Sequence, residues 1–301
     1  MNQSLAFVIL HYNTMKETTD CICSIEKNID GDKYSIVVVD NASPNGSGIQ
    51  LEERYKENKR VHVILNSENQ GFAKGNNLGY QYVLQNLKSD FICIMNNDTL
   101  LEKRNFFEVI QKEYERSHFG VMGPKIILKD GRINGLYYRF PNLEYFENEL
   151  RIFKRELWQM RHFLNYPIVA FKLCRNFAFR LLGIKKTSRH EGYHTHEQLD
   201  MRREDVILHG CCIVFSPEYR KRYSEAFDPK TFLYKEEELL FLRCKDCGLK
   251  TVYNPELEIR HLEDAATNSV RKNKRKRIIF WMENQIKSLE IVIEKMRKME
   301  A

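Results

Sequence analysis

The sequence predicts an α/β fold built around a parallel sheet. Short apolar runs rich in β-branched residues alternate with helical patterns along the first third of the chain, which is typical of strands joined by right-handed crossovers. Three of these strands are followed directly by polar residues, as expected at the rim of a ligand crevice. With 301 residues, 43% of them hydrophobic, the chain can bury a large core.

The elements of this first part are predicted in chain order from their periodicity and their turn residues. A helical pattern follows the first strand through about Lys27, and a second one spans Gly75–Leu87. The four predicted strands are Leu5–Leu10, Tyr34–Val39, Val61–Leu65 and Phe91–Met95.

Polar residues end the first and second strands. His11-Tyr12-Asn13-Thr14 follows the first strand, and Asp40 opens the turn sequence Asp40-Asn41-Ala42-Ser43 after the second. The Asp40 carboxylate could accept hydrogen bonds from a uracil or thymine edge or from a ribose hydroxyl. Alternatively, these residues only terminate strands and cap the following turns.

The fourth strand is followed by Asn96-Asn97-Asp98. Oxygen ligands one residue apart suit a hard divalent cation such as Mg²⁺ or Mn²⁺, which could neutralise a diphosphate leaving group. The sequence therefore predicts a metal-dependent site at this edge of the sheet.

The segment Asn66–Asn77 is rich in side-chain amides and glycine. Glycine permits a ligand to approach the backbone closely, and Lys74 could meet a phosphate. The segment is not a P-loop, and no Gly-x-Gly-x-x-Gly follows the first strand, so kinase and dehydrogenase functions are disfavoured.

Three features of the second half are candidates for chemistry. His209–Phe215 reads as a short buried strand, and His261 follows an extended stretch. Glu236-Glu237-Glu238 places three carboxylates side by side, where mutual repulsion raises a proton affinity as a general base requires. The same acids would also be favourable at a helix amino terminus, so both interpretations stay open.

A helical insertion and a basic tail complete the pattern. The insertion covers about 144–200 and includes the amphipathic segment Ile168–Ile184, and a last helix is expected over Ile278–Met299. Arg271–Arg277 carries six cations in seven positions, which favours an anionic membrane surface or a solvated face. We expect a main domain over 1–268 and a basic amphipathic helix over 269–301.

The cysteines indicate a compartment. Eight of them are scattered through predicted strands and helices, and no secretory leader precedes them. This usage predicts a reduced, cytoplasmic compartment, with peripheral attachment to the inner face of the membrane as a further expectation.

In order along residues 4 to 265, the chain resembles the family 2 glycosyltransferases of the GT-A fold, in particular their rhamnosyltransferase-like branch. The segments that carry the resemblance are Val37–Ser43, Asn69–Asn77, Met95–Asp98 and Tyr234–Glu237, with Arg243 and Gly248 downstream. The resemblance implies a Rossmann-like nucleotide-binding sheet with a helical insertion and a C-terminal helix.

The resemblance also implies roles for individual residues. Glu237, with Glu236 beside it, matches the acidic catalytic position, while Asn96, Asp98 and His261 match the metal site. His209 and Gly210 match the border of the sugar and acceptor pocket. The nucleotide-sugar-binding set is Tyr12, Asn13, Asp40, Asn41, Ser43, Asn69, Gly71, Lys74, Asn77, Asn97, His209 and Gly210.

The implied reaction is inverting transfer of a sugar from a UDP- or dTDP-sugar to a saccharide or lipid-linked acceptor in surface polysaccharide synthesis. Two positions depart from the family pattern: Asn96 replaces an aspartate, and Leu239 stands where relatives often have another acid. Leu239 leaves open a non-catalytic nucleotide-sugar-binding scaffold, and a sugar-phosphate nucleotidyltransferase is a further alternative. A homo-oligomer is an open possibility, and no nucleic-acid partner is expected.

Overall fold

The first half of the sheet is parallel, as the alternation of strands and helices predicts. A computed structural model describes residues 3–31, 34–134, 140–162, 199–262 and 274–300. In it β1 (Leu5–His11) lies between β2 (Tyr34–Asp40) and β4 (Phe91–Asn96), and β3 (Val61–Leu65) extends the sheet beyond β2. His11 is opposite Asp40 in this register, so the strands deliver their polar ends to one edge.

Helices cover both faces of these strands because alternate strand residues point to opposite sides. On one face α1 (Met15–Asn28), α2 (Ser47–Tyr55) and α4 (Phe106–Ser117) pack on a core that includes Phe7 and Ile9. On the other face α3 (Gly71–Tyr82) packs on the alternate residues, among them Val8. The strands are therefore apolar along their whole length.

The second half of the sheet, which lies beyond the four strands predicted to be parallel, is mixed in direction. Strand β8 (Cys212–Phe215) is antiparallel to β4 and to β6 (Val121–Leu128). Strand β9 (Thr251–His261) is parallel to β6 and antiparallel to β5 (Thr99–Leu101) and β7 (Arg203–Glu204). The sequence gives no direction for these later strands, because a short buried strand carries no pattern that specifies its direction.

The turn between β4 and β5 changes the position of the chain in the sheet. Although β4 and β5 are consecutive, the strand order is β3-β2-β1-β4-β8-β6-β9-β5. Strand β5 therefore pairs with the end of β9, and Thr99 is opposite His261. This crossing brings the Asn97-Asp98 turn next to a residue more than half the chain away.

Two predicted boundaries are corrected. Helix α3 begins at Gly71 rather than Gly75, and Val83–Leu87 continues it as a π-helical turn. Gly71 has φ +79°, and a Cβ there would lie 2.3 Å from the Phe232 carbonyl oxygen, so only glycine fits this start. The strand expected over His209–Phe215 begins at Cys212, because His209 and Gly210 belong to the preceding loop.

Helix α8 (Lys274–Glu300) packs on α5 (Leu143–Arg161) and α7 (Glu236–Asp246), which follows the short helix α6 (Pro217–Arg220). A hydrophobic cluster joins the three long helices, and it consists of Phe146, Leu239, Leu242, Leu289, Val292, Ile293 and Met296. The predicted segment Ile168–Ile184 lies outside the described residues, as does the start of the basic run. No helix within the described ranges combines the length and apolar character needed to cross a bilayer.

Candidate functional site

The polar ends of β1, β2 and β4 converge, as the sequence predicts. The Asn13 amide donates to Ser43 Oγ at 2.9 Å, which joins the loops after β1 and β2. Asn97 Nδ2 donates to Thr14 Oγ1 at 2.6 Å, which joins the turn after β4 to the start of α1. Hydrogen bonds between the loops therefore hold this edge of the sheet together.

Asp40 is fixed by its own turn. Its side chain accepts hydrogen bonds from the Ser43 amide and, at 2.5 Å, from the Ser43 hydroxyl. Helix α2 passes so close that a Cβ at Gly48 would lie 2.2 Å from Asp40 Oδ2. The turn-capping role considered from the sequence is thus present, and it also fixes the direction in which the carboxylate points.

Several predicted nucleotide-binding amides are hydrogen-bonded within the protein. Asn41 Nδ2 donates to Asn69 Oδ1 at 3.0 Å and to the Gly71 carbonyl at 3.1 Å, and Asn41 Oδ1 accepts from the Gln70 amide. Asn77 donates to the Phe227 carbonyl and accepts from the Phe227 amide, both at 2.9 Å. Together with Asn97, the residues Asn41, Asn69 and Asn77 form what we call the amide network.

Three further predicted residues of this edge differ in accessibility. Lys74 is exposed on α3, and Tyr12 is half-buried at the end of β1. Asn13 adopts the left-handed conformation with φ 65°, and its buried Oδ1 has no hydrogen-bond partner among the described residues. Asn13 therefore offers an acceptor beside Ser43 that the chain itself does not use.

Asp98 and His261 lie side by side. Their closest atoms, Asp98 Oδ1 and His261 Nε2, are 3.2 Å apart, although each residue is only 9% exposed. Backbone pairing of β5 with β9 fixes this approach, and the Leu262 amide donates to the Asp98 carbonyl at 2.9 Å. The fold thus brings together two residues that were predicted to bind one ion.

The donor chemistry of this pair fits a divalent cation. Asp98 Oδ1 and His261 Nδ1 are buried without hydrogen-bond partners in the described structure, which is costly unless another group satisfies them. Ligands about 2.1 Å from one octahedral ion are about 3 Å apart, and Asp98 Oδ1 lies 3.2 Å from His261 Nε2, the ring nitrogen that faces it. No group of three His, Cys, Asp or Glu side chains with metal-binding spacing occurs within the described ranges, so Asn96 and ligand oxygens would have to complete the shell.

A cavity of about 430 Å³ lies beside this pair and contains both predicted catalytic acids. Its lining includes Asn96, His209 and Gly210 from one side and Glu236 and Glu237 from the amino terminus of α7. The His209 ring, which lines the cavity, lies 6.0 Å from the His261 ring. The residues of the amide network do not line this cavity, so the predicted site residues form two groups.

Glu237 is held in the cavity by a close backbone contact. Its Oε1 accepts from the Gly210 amide at 3.0 Å, and a Cβ at position 210 would lie 2.7 Å from the same oxygen. Tyr234 and Lys235, with φ 75° and 67°, turn the chain into α7 immediately before the glutamates. Such positive φ values cost free energy and persist where the surrounding structure imposes them.

Glu236 differs from Glu237 in its surroundings. It is 3% exposed, and its Oε1 has no hydrogen-bond partner among the described residues. Burial, aided by the charge of Glu237, raises the pKa of Glu236 to about 8. Glu236 therefore holds a proton at neutral pH. We call Asp98, Glu236, Glu237 and His261 the carboxylate pocket.

The third glutamate, Glu238, forms an ion pair with Lys235. The Lys235 Nζ lies 3.0 Å from Glu238 and 3.2 Å from Glu149 of α5. Burial lowers the pKa of Lys235, but the two carboxylates outweigh that effect and raise it. The Lys235 charge is thus neutralised within the protein, and Glu238 acts as its counterion.

Sequence reasoning missed Gln285 of α8, which reaches the cavity wall. Its Oε1 is buried without a partner in the described structure. The hydroxyl of Ser288 on the same helix donates to the Leu233 carbonyl at 2.9 Å, which fixes α8 against the loop before α7. No local signal in the sequence indicated that the last helix would contribute to the site.

Leu239, the departure from the family pattern, is explained by packing. It is 2% exposed in the cluster formed by α5, α7 and α8. A carboxylate at this position would be buried among apolar side chains, which costs several kcal/mol, on the order of 3 or more. The leucine therefore serves the attachment of α8 and says nothing about a lost catalytic function.

A larger groove of about 800 Å³ lies between α5 and α8 and shares no lining residue with the site cavity. Its rim is formed by ion pairs such as Glu147 with Arg297 and Lys154 with Glu290. We interpret it as a solvated groove between two helices.

Comparison with known proteins gives a family match over more than half of the chain. A family model described as "Glycosyl transferase family 2" matches residues 6–180. The chain is 24% identical over 131 residues to the low-salt glycan biosynthesis hexosyltransferase Agl10 of Haloferax volcanii. It is 23% identical over 152 residues to the glycosyltransferase GlyG of Streptococcus pneumoniae serotype 4. These matches cover 44% and 50% of this chain but only 39% and 48% of the relatives.

One solved structure agrees at the level of the fold, and a second match is weaker. GalNAc-T7, solved with UDP, GalNAc and Mn²⁺, superposes with a TM-score of 0.55 at 15% identity. The match covers 88% of this chain and 44% of that one. Residues 1–349 of TarS from S. aureus give a TM-score of 0.49 at 13% identity, covering 86% and 60% of the two chains.

Proposed function

The chain belongs to glycosyl transferase family 2 and is a glycosyltransferase of the GT-A fold, and on this basis we propose a more specific activity. The enzyme transfers a sugar from a UDP- or dTDP-sugar to a saccharide or lipid-linked acceptor in surface polysaccharide synthesis, with inversion and with a divalent cation. The observation that carries this proposal is the position of Glu237 and Asn96 in one cavity, beside the Asp98–His261 pair.

The nucleotide is proposed to bind at the edge formed by the loops after β1 and β2. Asp40 and the unpartnered Asn13 Oδ1 supply acceptors for the N–H groups of a pyrimidine base or for ribose hydroxyls. Tyr12 and Ser43 complete this edge. GalNAc-T7, which shares the fold, was solved with UDP, and this supports a uridine or thymidine nucleotide as the starting choice.

The cation, Mg²⁺ or Mn²⁺, is proposed to be held by Asp98, His261 and the side-chain oxygen of Asn96. It would neutralise the charge that develops on the departing diphosphate. The buried Asp98 Oδ1, which has no hydrogen-bond partner among the described residues and lies 3.2 Å from His261 Nε2, supports this assignment. The neutral amide of Asn96 contributes less charge than a carboxylate would, so diphosphate oxygens are needed to complete the site.

Glu237 is proposed as the general base. The Gly210 amide donates to its Oε1, which orients the carboxylate in the cavity. Glu237 takes the proton of the acceptor hydroxyl while that oxygen bonds to the anomeric carbon and the bond to the diphosphate breaks. Because attack and departure occur on opposite faces of that carbon, the product has inverted configuration.

The remaining predicted residues are proposed to act by shaping the site. Asn41, Asn69, Asn77 and Asn97 hold loops in place through the amide network, and the start of α3 at Gly71 brings the helix terminus toward the nucleotide edge. Lys74, exposed on α3, is proposed to contact a phosphate. His209 and Gly210 border the sugar and acceptor pocket.

The domain organisation also remains a proposal. We assign 1–268 to the GT-A unit, with the insertion at about 144–200, and 269–301 to the basic C-terminal helix. Because α8 contributes Gln285 to the cavity wall, this helix is proposed to belong to the catalytic unit. A rhamnosyl donor, a peripheral position on an anionic membrane surface at the cytoplasmic face, and a homo-oligomer stay predictions.

The first experiment screens nucleotide sugars for release of UDP or dTDP by the full chain, with Mn²⁺ and with EDTA. We expect release with one donor class and its loss in EDTA. In the variant Glu237→Gln, we expect turnover to fall about 10²–10⁴-fold with donor affinity retained, because the base is lost while binding groups remain.

The matched control is Glu108→Gln, an exposed glutamate of α4 that pairs with Lys112. It should keep the wild-type rate. Unchanged turnover in Glu237→Gln would overturn the assignment of the base, and full activity in EDTA would overturn the metal requirement.

A further inference from the structure

A buried histidine lies between the two groups of candidate ligand-binding residues. His11 ends β1, is fully buried, and contacts hydroxyl groups on two different helices. Its Nε2 lies 2.7 Å from Ser47 Oγ at the start of α2, and its Nδ1 lies 2.7 Å from Thr18 Oγ1 of α1. From the sequence, His11 was only the first residue of a strand-ending turn.

Each contact of His11 leads to one side of the site. On the α2 side, Ser47 Oγ donates to Asn45 Oδ1 at 2.7 Å, and the Asn45 side chain donates to the Asn13 carbonyl at 2.9 Å. These residues belong to the nucleotide edge that Asp40 and Ser43 form. The carboxylate of Asp40 is itself 3.9 Å from His11 Nε2.

On the α1 side, Thr18 leads to the turn that carries the candidate metal ligands. Asn97 Nδ2 donates to Thr18 Oγ1 at 2.9 Å and to Thr14 Oγ1 at 2.6 Å. Asn97 directly precedes Asp98 and follows Asn96. A continuous chain of hydrogen bonds therefore runs from the β2–α2 loop through His11 to the β4–β5 turn.

The contacts of His11 fit a neutral imidazole with its hydrogen on Nε2. Because the Ser47 hydroxyl hydrogen goes to Asn45, Ser47 Oγ accepts from His11 Nε2. The single hydrogen of the Thr18 hydroxyl has two acceptors within reach, His11 Nδ1 at 2.7 Å and the Thr14 carbonyl at 3.1 Å, and in the neutral ring Nδ1 is the acceptor. Burial lowers the pKa of His11 although Asp40 and Glu17 oppose this, which agrees with a ring that stays neutral.

We propose that His11 is a positioning residue that couples the nucleotide edge to the Asn96–Asp98 turn, so that ordering one loop orders the other. Three buried bonds in series carry the coupling in both directions, because a shift of either hydroxyl breaks a buried bond and leaves its partner unpaired. The consequence for the proposed function is that nucleotide and cation bind cooperatively. The coupling itself is a property of the protein without ligands.

The first test needs no ligand. Amide hydrogen exchange is compared in wild type, Ser47→Ala, Thr18→Val and the control Thr19→Val, whose hydroxyl donates to the Met15 carbonyl of its own helix. We expect Ser47→Ala to raise exchange about 5-fold or more at the distant turn 96–99, and Thr18→Val to do so at 41–47. Thr19→Val should change neither segment. Changes confined to the mutated side in both variants would overturn the coupling.

The second test concerns the two ends of the ring separately. An asparagine side chain can replace Nδ1 and a glutamine side chain Nε2, so His11→Asn keeps the Thr18 contact and His11→Gln keeps the Ser47 contact. Both should lose the factor by which Mn²⁺ tightens UDP or dTDP binding in calorimetry, about 5-fold or more in the wild type. If Mn²⁺ still tightens nucleotide binding in both variants, His11 is not the link between the two loops. The exchange test is independent of this result: if Ser47→Ala and Thr18→Val leave hydrogen exchange at the distant loop unchanged, the coupling is overturned even for a protein that binds no nucleotide.

Discussion

The amide network and the carboxylate pocket lie along the same sheet edge, but their polar groups are treated differently. In the amide network, Asn41 and Asn77 have both ends of the side chain engaged by the protein. In the carboxylate pocket, Asp98, Glu236 and His261 each keep a buried atom without a partner in the described structure.

This difference separates residues that hold the loops in place from residues that are candidates for binding a ligand. An amide hydrogen bond contributes about 0.5–1.5 kcal/mol to stability, whereas an unpaired buried polar atom costs about 1–3 kcal/mol. A native protein keeps such a cost where another molecule satisfies the atom. Orphaned atoms therefore mark the ligand positions better than the richness of a segment in polar residues.

The largest expected effect is a contrast between two amide side chains, one from the amide network and one from the wall of the cavity beside the carboxylate pocket. Asn77→Leu leaves the amide and carbonyl of Phe227 unpaired, so we expect the free energy of unfolding to fall by about 2–4 kcal/mol. Gln285→Leu removes an oxygen that has no partner, so we expect a change within about 1 kcal/mol or a gain. Urea unfolding measures both, and equal losses would break the comparison.

The next prediction tests whether a divalent cation binds at the Asp98–His261 pair. Mn²⁺ at a hundred times its dissociation constant should stabilise the wild type by about 2.7 kcal/mol, because only the folded protein presents the Asp98–His261 pair. His261→Ala should abolish this gain, and His162→Ala, at the exposed end of α5, should leave it unchanged. Thermal unfolding with and without Mn²⁺ provides the measurement. An undiminished gain in His261→Ala would place the cation elsewhere.

The smallest effect, counted per pH unit, concerns the proton on Glu236. Its pKa is about 8 in the folded protein against an ordinary 4.5, so between these values the folded state keeps a proton that the unfolded state has lost. Wild-type stability therefore falls as the pH rises through this window, and the contribution is fully present only below pH 4.5.

The variant Glu236→Gln cannot titrate at this position. Its stability relative to wild type should rise with pH, by at most about 1.4 kcal/mol per pH unit between 4.5 and 8. Urea unfolding at pH 5, 6, 7 and 8 measures the slope. A flat difference would mean that Glu236 is ionised throughout this range.

The candidate site was predictable to the extent that local pattern carries it. The polar turns after β1, β2 and β4 could be placed from strand ends alone, and the resemblance to the family supplied Asp98, His261 and Glu237. Gln285 could not be predicted, because a helix that reads as amphipathic does not specify which surface it packs on. The packing role of Leu239 could not be predicted for the same reason, since the residues it contacts come from α5 and α8.

The sequence by itself determined the strands of the parallel half, the polar edge where they end, and membership of glycosyl transferase family 2, because these depend on short-range periodicity and on ordered motifs. Only the tertiary structure decided which polar groups are engaged and which keep a buried atom without a partner among the described residues. The bonds that settle this join residues far apart, such as Asn77 and Phe227 or His11 and Ser47. Hydrogen bonding depends on the partner as much as on the residue, and no local pattern records the partner.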